Sequence, residues 1–563
     1  MLRRGDPPVV SGRRGVGVVL LALLLVGVAA AGASRLLLRS STPTAAAGPP
    51  RFVDDTAESG LAHRYAGTDN YQVGGGVAVF DCNGDHLPDL FLAGGQGPAM
   101  LYRNTSTVGG PLRFERIPSP TTDLTGVNGA YPVDIDGDGI VDLVVLRLGE
   151  NVLLRGMGNC TFKRANEALG FTGIDGDTTA FSATWEGSAH LPTLAIGHYL
   201  KLDEHGDTTF TCDAGALLRP RADGSAYATA MPLVPGYCAL SMLFSSWDGS
   251  TRRDLRVSND RQYYTDGSEQ LWRMDPGQPP RQYTAADGWA SLNIFGMGIA
   301  SQDLTGDGLP EVYLTSQGDN KLQTLSSGPG QPAFRDIALR RGVVATTPYA
   351  GDTSLASTAW HPEFADVNND GFADLFVSKG NVGAQADFAV RDPSDLFLGQ
   401  PDGTFVEAAD RAGLTRFARG RGAALADFNL DGMLDLVEVN YGSDTVVWRN
   451  VGAGTATAPA QMGHWLMLDI QQPGPNRNAI GAWVDIRVGE TTVRRELTVG
   501  GGHIGGQLGW LHVGLGAASS AEVRVVWPDG VEGPWLSADA DRFDVIARGA
   551  TAVQPWSPGQ AGP

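Results

Sequence analysis

Five segments of the chain repeat one spacing of oxygen-bearing side chains that could bind a metal ion. Each carries Asp, Asn or Thr at positions 1, 3 and 5 and Asp or Glu at position 9, and an apolar run typical of a β-strand follows directly. Five copies of one nine-residue pattern indicate a shared function rather than chance. Numbered by the repeat unit that contains them, loops 1, 2, 5, 6 and 7 are residues 81–89, 134–142, 303–311, 366–374 and 427–435.

The ion that this spacing favours is calcium, which takes about six to eight oxygen ligands in flexible arrangements. Gly at position 6 in four of the five loops permits the sharp bend that turns the oxygens inward. An EF-hand is excluded, because it requires Glu at position 12, where only loop 7 has one, Glu438. Acidic surface turns without a metal are the alternative. The predicted ligands of about five Ca²⁺ sites are Asp81, Asn83, Asp85, Asp89, Asp134, Asp136, Asp138, Asp142, Asp303, Thr305, Asp307, Glu311, Asp366, Asn368, Asp370, Asp374, Asp427, Asn429, Asp431 and Asp435.

The elements that must position these loops are predicted to be short β-strands. The chain has 563 residues, enough for two or more domains, and it is rich in Gly (76) and sparse in charged residues (18%). Such a composition favours many strands joined by turns. The formal net charge of −20 argues against nucleic acid as a partner, since nucleic-acid binding needs clustered basic surface. The Arg, Ala, Gly and Pro bias is typical of a GC-rich bacterium.

The loops mark a repeat array that runs from residue 51 to about residue 450. Two decayed copies fill the long gap in the middle: loop 3, residues 185–193, and loop 4, residues 246–254, in which Ser replaces two acidic positions. Seven units, each with room for four short strands, predict an all-β fold with a seven-bladed β-propeller. We expect the two decayed loops to contribute least to metal-dependent stability.

The first and last units are predicted to share one blade. The seventh unit stops at Asn450 without an outer strand, whereas Phe52 and Val53 form a spare strand ahead of the first loop. Unpaired strand edges invite aggregation, so a closed ring is favoured. The N-terminal strand is therefore expected to pair beside residues 446–448.

The N-terminal 34 residues are predicted to be a targeting segment. Four Arg residues precede an uncharged stretch, residues 15–34, that is long enough to span a bilayer, and residues 31–33 offer a small-residue cleavage site. An uncleaved signal anchor and a cleaved signal peptide both remain open, and both export the rest of the chain. The protein is thus predicted to be extracytoplasmic, either membrane-anchored or secreted, with a flexible linker at 35–50.

The array and the region after it resemble a known pair of domains. Residues 51–450 are similar to the FG-GAP/VCBS repeats of integrin α-subunit heads, in the arrangement of the cartilage acidic protein family. Residues 463–533 resemble an ASPIC/UnbV domain through the runs 463–466, 476–482, 512–516 and 526–530 and through Arg495-Glu496. One departure puts any polar role in doubt: the family has Tyr and then Ser-Gln where this chain reads Gly-His-Ile-Gly-Gly at 502–506.

The C-terminal region alternates apolar and polar residues in short runs, which predicts a small antiparallel β domain. We place a linker at 451–462, the ASPIC/UnbV domain at 463–550 and a tail without fixed structure at 551–563.

The cysteines predict one disulfide bond. Cys212 and Cys238 bracket a Pro- and Gly-rich insertion that a bond would hold, while pairing of Cys82 with Cys160 stays open. The sequence carries no HExxH, GxSxG or phosphate-loop motif, so no catalytic residue is assigned. His361 and His512 are expected to be packing residues, and His503 is expected on a surface turn.

Together these observations favour an exported, calcium-binding propeller that acts as a binding or adhesion scaffold for a protein, glycan or other ligand. The integrin resemblance implies the binding role by analogy of fold alone. The UnbV resemblance implies an alternative, an accessory protein or enzyme of enediyne-like secondary-metabolite biosynthesis that uses the propeller funnel. Enzymatic activity is therefore left open, with a non-catalytic role favoured.

Overall fold

The computed structural model describes residues 46–260, 267–326, 328–351, 354–383 and 387–559, and β-strands dominate these ranges. The predicted targeting segment and residues 35–45 of the predicted linker lie outside them. Within the described ranges, no helix has both the length and the apolar composition that crossing a bilayer requires. The prediction of an all-β fold is confirmed.

Groups of antiparallel strands follow one another in the order of the seven predicted units, and we number them sheets 1 to 7. Sheets 2 and 3 are joined into one, because Gly176 and Asp177 pair with Gly149 and Leu148. The first described strand is β1 (Phe52–Asp54), which belongs to sheet 7. Sheets 1 to 3 contain β2 (Val77–Phe80), β3 (Asp89–Leu92), β4 (Met100–Asn104), β5 (Phe114–Arg116); β6 (Val127–Val133), β7 (Asp142–Gly149), β8 (Val152–Gly156), β9 (Phe162–Arg164); β10 (Gly176–Thr184), β11 (Thr193–His198), β14 (Gly215–Leu218) and β15 (Met231–Leu233). A separate hairpin of β12 (Leu200–Leu202) and β13 (Thr208–Cys212) is inserted between β11 and β14.

Sheets 4 to 7 repeat the same order. They contain β16 (Ala239–Ser245), β17 (Asp254–Asn259), β18 (Gln270–Arg273), β19 (Arg281–Gln282); β20 (Gly296–Gln302), β21 (Glu311–Ser316), β22 (Lys321–Leu325), β23 (Phe334–Asp336); β24 (Ala359–Ala365), β25 (Asp374–Lys379), β26 (Asp395–Gly399), β27 (Phe405–Glu407); β28 (Gly420–Ala426), β29 (Asp435–Asn440) and β30 (Val446–Asn450). Short helical turns join some strands: Asp69–Tyr71, Asn166–Leu169, Ala285–Asp287, Ala338–Arg341, Asp387–Val390 and Ala409–Ala412.

Each metal-type loop joins the first and second strands of its sheet. The ninth loop residue is in every sheet the first residue of the second strand, as Asp89 is in β3 and Thr193 in β11. The loop therefore begins where the buried first strand ends, and its last residue is fixed by the strand that follows. This placement explains why an apolar run comes directly after each loop in the sequence.

The seven first strands form a closed ring. Neighbouring first strands contact one another from β2 through β6, β10, β16, β20 and β24 to β28, and β28 contacts β2 again. The N-terminal strand β1 completes the seventh sheet by pairing with β30, with Phe52 opposite Asn450 and Asp54 opposite Trp448. Phe52 is 4% exposed and packs in the core of the last two sheets. The predicted closure by the N-terminal strand is confirmed.

The C-terminal domain is a sandwich of two four-stranded sheets around one apolar core. Its strands are β31 (His464–Gln471), β32 (Trp483–Val488), β33 (Thr491–Glu496), β34 (Gln507–Leu508), β35 (Leu511–Gly516), β36 (Ser520–Val526), β37 (Leu536–Asp539), β38 (Arg542–Ala547) and β39 (Gln554–Trp556). The sheet orders are β35-β31-β38-β39 and β33-β32-β36-β37, while β34 pairs with β2 of the propeller.

Two expectations for this domain are wrong. The sheet that contains β31 is mixed rather than antiparallel, because β31 and β38 run parallel. The predicted tail at 551–563 starts too early, because Phe543 pairs with Trp556, and Trp556 is 5% exposed. A Trp side chain that is buried on an edge strand gains enough apolar contact to order the residues before it.

Candidate metal centres and the filled channel

The first carboxylate of each predicted loop folds the loop around itself. Asp81 accepts the backbone N–H groups of Gly84 and His86, both at 2.7 Å, and Asp134 accepts those of Gly137 and Gly139 at 2.9 and 3.0 Å. Positions 4 and 6 adopt left-handed backbone in all five loops, including the non-Gly residue Leu430 at φ 53°. The sequence indicated the bend at position 6, whereas the one at position 4 was missed because Asn and Leu also occupy it.

This folding brings the side chains of positions 1, 3 and 5 together. In loop 2 carboxylate oxygens of Asp134, Asp136 and Asp138 lie within 4.8 Å of one another. The Arg155 guanidinium, on strand β8, contacts two of these groups, at 2.5 Å from Asp136 and 2.9 Å from Asp138. Hard carboxylate oxygens at such separations suit a calcium ion, so the donor set fits the predicted metal.

The ninth residue serves a structural role in four of the five loops, as the loop-1 and loop-7 contacts show. Asp89 accepts the N–H of Cys82 at 2.8 Å and that of Asn104, on the third strand, at 2.7 Å. Asp435 binds the N–H groups of Phe428 and Asn450 at 3.1 and 2.8 Å. Each such carboxylate ties the loop to the third strand of its sheet, so any metal contact it makes is in addition to these bonds.

Loop 5 differs at its ninth residue because Glu is longer than Asp. Glu311 accepts the Leu304 N–H at 2.8 Å through one oxygen and the Thr324 hydroxyl at 2.7 Å through the other. The Thr305 hydroxyl, a predicted ligand, also lies 3.4 Å from Glu311. With a neutral residue at position 3, loop 5 carries three carboxylates, as loops 1, 6 and 7 do, whereas loop 2 carries four.

Burial makes the loop carboxylates difficult to ionise without a cation. It raises the pKa of Asp134 to about 6 and that of Asp142 to about 7, and neighbouring loop carboxylates add to both shifts. Burial and the adjacent Asp370 raise the pKa of Asp366 to about 8. A divalent cation between these groups would offset their repulsion and favour the ionised state.

In the two decayed loops, loops 3 and 4, an Arg side chain pairs with the remaining carboxylates. In loop 4 the Arg252 guanidinium donates to Asp248, at position 3, over 3.1 Å and to Asp254, at position 9, over 2.8 Å. In loop 3, Glu186 accepts the Arg219 Nε–H at 2.7 Å and the Thr193 hydroxyl at 2.9 Å. Arg side chains thus supply the positive charge in both loops.

Loops 6 and 7 lie under other parts of the chain. Asn369 of loop 6 accepts the Gly516 N–H of the C-terminal domain at 2.9 Å, and a Cβ on Gly432 of loop 7 would overlap the Trp465 ring at 1.9 Å. The Ala47 N–H also donates to Asp370 over 2.8 Å. This hydrogen bond holds the end of the predicted flexible linker at 35–50 against loop 6. The linker prediction is therefore wrong for these last residues.

A segment of the C-terminal domain fills the centre of the propeller. We call residues 499–508, which read Val-Gly-Gly-Gly-His-Ile-Gly-Gly-Gln-Leu, the channel segment. Backbone hydrogen bonds or bridges join it to the first strands of sheets 1 to 5. Among them, the Gly501 N–H donates to Met242 over 2.7 Å, the Gly502 N–H to Ile299 over 2.6 Å, and the Val79 N–H to Gly506 over 3.0 Å.

Glycine permits this close approach of one backbone to several others. A Cβ on Gly505 would lie 2.0 Å from the Val77 carbonyl oxygen, and Gly500, Gly501 and Gly502 have φ values of 128°, 72° and 58°. Larger side chains would clash or require a strained conformation. The Gly-rich run was a visible signal in the sequence, but only the ring of first strands shows why it is needed.

His503 is the buried tip of the channel segment, so the expectation of a surface turn is wrong. It is 0% exposed, its Nε2 lies 2.9 Å from the Val73 carbonyl oxygen, and its ring centre is 4.9 Å from that of Trp360. Its backbone N–H donates to His361 Nδ1 over 3.1 Å, which gives His361, on the sixth sheet, a packing role. Burial, with smaller effects from Arg421 and His361, lowers the pKa of His503 to about 3.

Two disulfide bonds lie in the propeller. Cys212 is bonded to Cys238 across the third-sheet insertion, and Cys82 is bonded to Cys160. The second bond joins position 2 of loop 1 to the turn before the last strand of the second sheet. The proximity of Asp89 to these sulfur atoms is therefore not a thiolate metal site, since both sulfurs are oxidised.

Two protein-family models match the chain. The FG-GAP-like repeat model covers residues 81–145 and 303–377, which contain loops 1, 2, 5 and 6, and the ASPIC and UnbV model covers residues 472–552. The chain therefore carries FG-GAP-like repeats followed by an ASPIC/UnbV domain, and the resemblance inferred from the sequence is confirmed in its domain composition.

Curated relatives are similar to part of the chain. Cartilage acidic protein 1 from Homo sapiens is 30% identical over 173 residues, which is 28% of this chain and 23% of the relative. The Mus musculus protein of the same name is 30% identical over 159 residues, again 28% and 23% of the two chains. The matched part thus spans about a quarter of the length of these relatives (23%).

Solved structures align over more of the chain at lower identity. BBS1N in complex with ARL6DN aligns over 72% of this chain and 98% of that chain, with 9% identity and a TM-score of 0.39. An Agrocybe aegerita lectin, described as recognising non-reducing terminal N-acetylglucosamine, aligns over 68% of this chain and 78% of that chain, with 15% identity and a TM-score of 0.29.

Proposed function

We propose that the protein is an exported, calcium-binding β-propeller that acts as a binding scaffold. The observation that supports calcium most directly is the contrast between loop types. Loops 3 and 4 have lost acidic positions and pair the acids they keep with Arg219 and Arg252. Loops 1, 5, 6 and 7 keep their oxygen side chains around a tight turn and need another source of positive charge.

Calcium would be held mainly by the side chains at positions 1, 3 and 5 of each loop. When bound, the ion supplies positive charge and joins the end of the first strand to the start of the second. The ninth carboxylate orients the turn by binding backbone N–H groups, as Asp374 does with Val367 at 2.9 Å and Gly399 at 2.9 Å. Because the folded loop alone presents this ligand set, calcium would stabilise the folded state by mass action.

Counting bound ions tests the calcium proposal. Equilibrium dialysis of the protein against buffered Ca²⁺, followed by elemental analysis, should give about five ions per chain. Magnesium should bind fewer sites, since it demands near-octahedral geometry. A chain that retains no calcium above the dialysis buffer would contradict the proposal.

The filled channel favours a scaffold over a funnel enzyme. A small molecule would need the space on the propeller axis that the channel segment takes up through its bonds to Met242, Ile299 and Val79. Binding of a protein or glycan is then expected on the outer faces and edges of the sheets. The alternative, an accessory protein that binds a small molecule in secondary metabolism, requires a space outside the channel.

Binding of a partner is tested with the calcium-loaded protein immobilised through its C-terminus. A glycan array and an envelope extract should each be applied in calcium and again in excess chelator. We expect a defined glycan or protein to be retained in calcium and released by the chelator. If nothing is retained while a small metabolite copurifies with the protein, the alternative is favoured.

Two disulfide bonds support the exported part of this proposal, because such bonds persist in oxidising compartments. Protease added to intact protoplasts should digest the chain from about residue 40 onward if the N-terminal segment is an uncleaved anchor. A cleaved segment would release the protein into the medium instead. Protection of the propeller inside intact cells would contradict export.

A further inference from the structure

A large cavity is lined by residues of both the propeller and the C-terminal domain. Its volume is about 1050 Å³, and its walls include loops 1 and 2, strand β24 and strands β31, β33 and β35. We call it the interdomain chamber. Small-molecule sites are typically cavities of about 300–1,000 Å³ between domains, so both the size and the position of the chamber suit a small ligand.

Arg495, on strand β33, borders the chamber, and its charged side chain has no partner among the described residues. Its Nε atom is buried, and its guanidinium makes no hydrogen bond or ion pair with any residue in the described ranges. Arg548 also borders the chamber, but its guanidinium has partners: it donates to Asp529 over 2.6 Å and to Gln472 over 3.3 Å. A guanidinium is always charged in proteins, and a buried charge without a partner is costly.

The carboxylates near Arg495 already accept hydrogen bonds from other groups. Glu496 accepts bonds from Ser245 and Ser246, and Glu363 accepts those of Gln507 and Leu425. Asp366, whose charge acts on Arg495, belongs to loop 6 and accepts the Asp370 and Gly371 N–H groups.

Calcium in loop 6 would neutralise Asp366 and leave Arg495 free, a step that rests on the proposed calcium binding. Asp469 also faces the chamber and accepts a 2.7 Å bond from Gln471. None of these carboxylates is therefore positioned as a direct partner of the guanidinium.

We propose that the interdomain chamber binds a small organic anion whose carboxylate pairs with Arg495. The planar guanidinium offers paired N–H donors that match a carboxylate in a two-bond arrangement. Trp510 and Leu511, both partly exposed, also border the chamber and provide apolar surface for the body of such a molecule. The site differs from the metal loops in its ligand, and the channel segment borders the chamber through Gln507 and Leu508.

Isothermal titration calorimetry with succinate, benzoate and sulfate, in calcium buffer, tests this site on the full protein. At least one carboxylate should bind saturably, and Arg495→Gln should weaken it by about tenfold or more, as expected for the loss of a charged hydrogen-bonded pair. Arg548→Gln is the matched control, because it removes a charge from the same wall and should change affinity by less than about twofold.

Thermal melting supplies a second measurement. Without an anion, Arg495→Gln should melt no lower than the wild type, since it removes an unpaired buried charge; with the anion, only the wild type should gain stability. The proposal is overturned if none of the probes binds saturably, or if both Gln variants weaken binding equally. Preference for sulfate over both carboxylates would also overturn the carboxylate assignment. The calcium dependence of melting is measured separately, so failure of the calcium proposal remains distinguishable.

Discussion

Loops 4 and 7 both join the first and second strands of their sheets, and different groups lie beside their carboxylates. In both, the ninth carboxylate accepts an N–H at the end of the third strand: Asp254 accepts that of Met274, directly after β18, at 3.0 Å, and Asp435 accepts that of Asn450, on β30, at 2.8 Å. Loop 4 places Arg252 against its acids, whereas loop 7 has Asp427, Asn429 and Asp431 and no such Arg. The comparison shows that an Arg side chain supplies the positive charge in loop 4, and under the proposed function a calcium ion would supply it in loop 7.

We expect the largest loss of folding stability from a substitution in loop 4, and this loss should not depend on calcium. Asp254 is 1% exposed and accepts bonds from Arg252, Trp247 and Tyr283. Asp254→Ala should therefore lower the free energy of unfolding by about 3–5 kcal/mol, because it leaves buried donors and a charge unpaired. Urea unfolding with and without calcium measures this loss, which should be the same in both.

Asp275→Ala is the matched control in the same sheet. Asp275 pairs with Arg273 at the surface, where ion pairs contribute about 0–1 kcal/mol. If Asp254→Ala is as mild as this control, or if its effect disappears in chelator, loop 4 is not held by its arginine.

A smaller and calcium-dependent effect is expected in loop 7. Asp431→Ala removes a predicted ligand, so the variant should lose about 2–3 kcal/mol of calcium stabilisation at a calcium concentration about 100 times the Kd. In chelator it should be no less stable than the wild type, because one of two mutually repelling acids, Asp427 and Asp431, is gone. Paired urea titrations in calcium and in chelator separate the two contributions.

Asp410→Ala serves as the loop-7 control, since Asp410 lies on an exposed helical turn and contacts Thr415. An Asp431→Ala protein that responds to calcium as fully as this control would show that loop 7 binds no calcium.

The smallest expected effect is a change in the calcium affinity of loop 2, which tests whether the Arg155 side chain and calcium compete for the same carboxylates. Arg155 contacts Asp136 and Asp138 of loop 2, and its side chain is 42% exposed. Exposed pairs contribute about 1 kcal/mol or less, so Arg155→Gln should raise the calcium affinity of this loop by up to about fivefold. Calorimetric titration with calcium measures the change. Unchanged or weaker affinity would show that Arg155 supports the metal site rather than competing with it.

The sequence predicted the repeat, the order of the sheets and the closing strand, because the loop and strands of each unit are encoded by residues that lie close together along the chain. Some partners of those loops lie far away along the chain: the Ala47 N–H donates to Asp370 of loop 6, and Gly432 of loop 7 lies against the Trp465 ring. Such contacts leave no local spacing to detect. The channel segment shows the same limit, since His503 sits in a Gly-rich run that resembles a surface turn until the ring of first strands surrounds it.

The most direct test of the central claim is thermal melting of the full protein in excess chelator and after calcium is restored. Loops 1, 2, 5, 6 and 7 concentrate carboxylates whose repulsion calcium would offset under the proposed function, and burial raises the pKa of Asp366 and Asp142. We predict a lower melting temperature in chelator, recovery with calcium, and weaker recovery with magnesium. An identical melting temperature in chelator and in calcium would contradict the account.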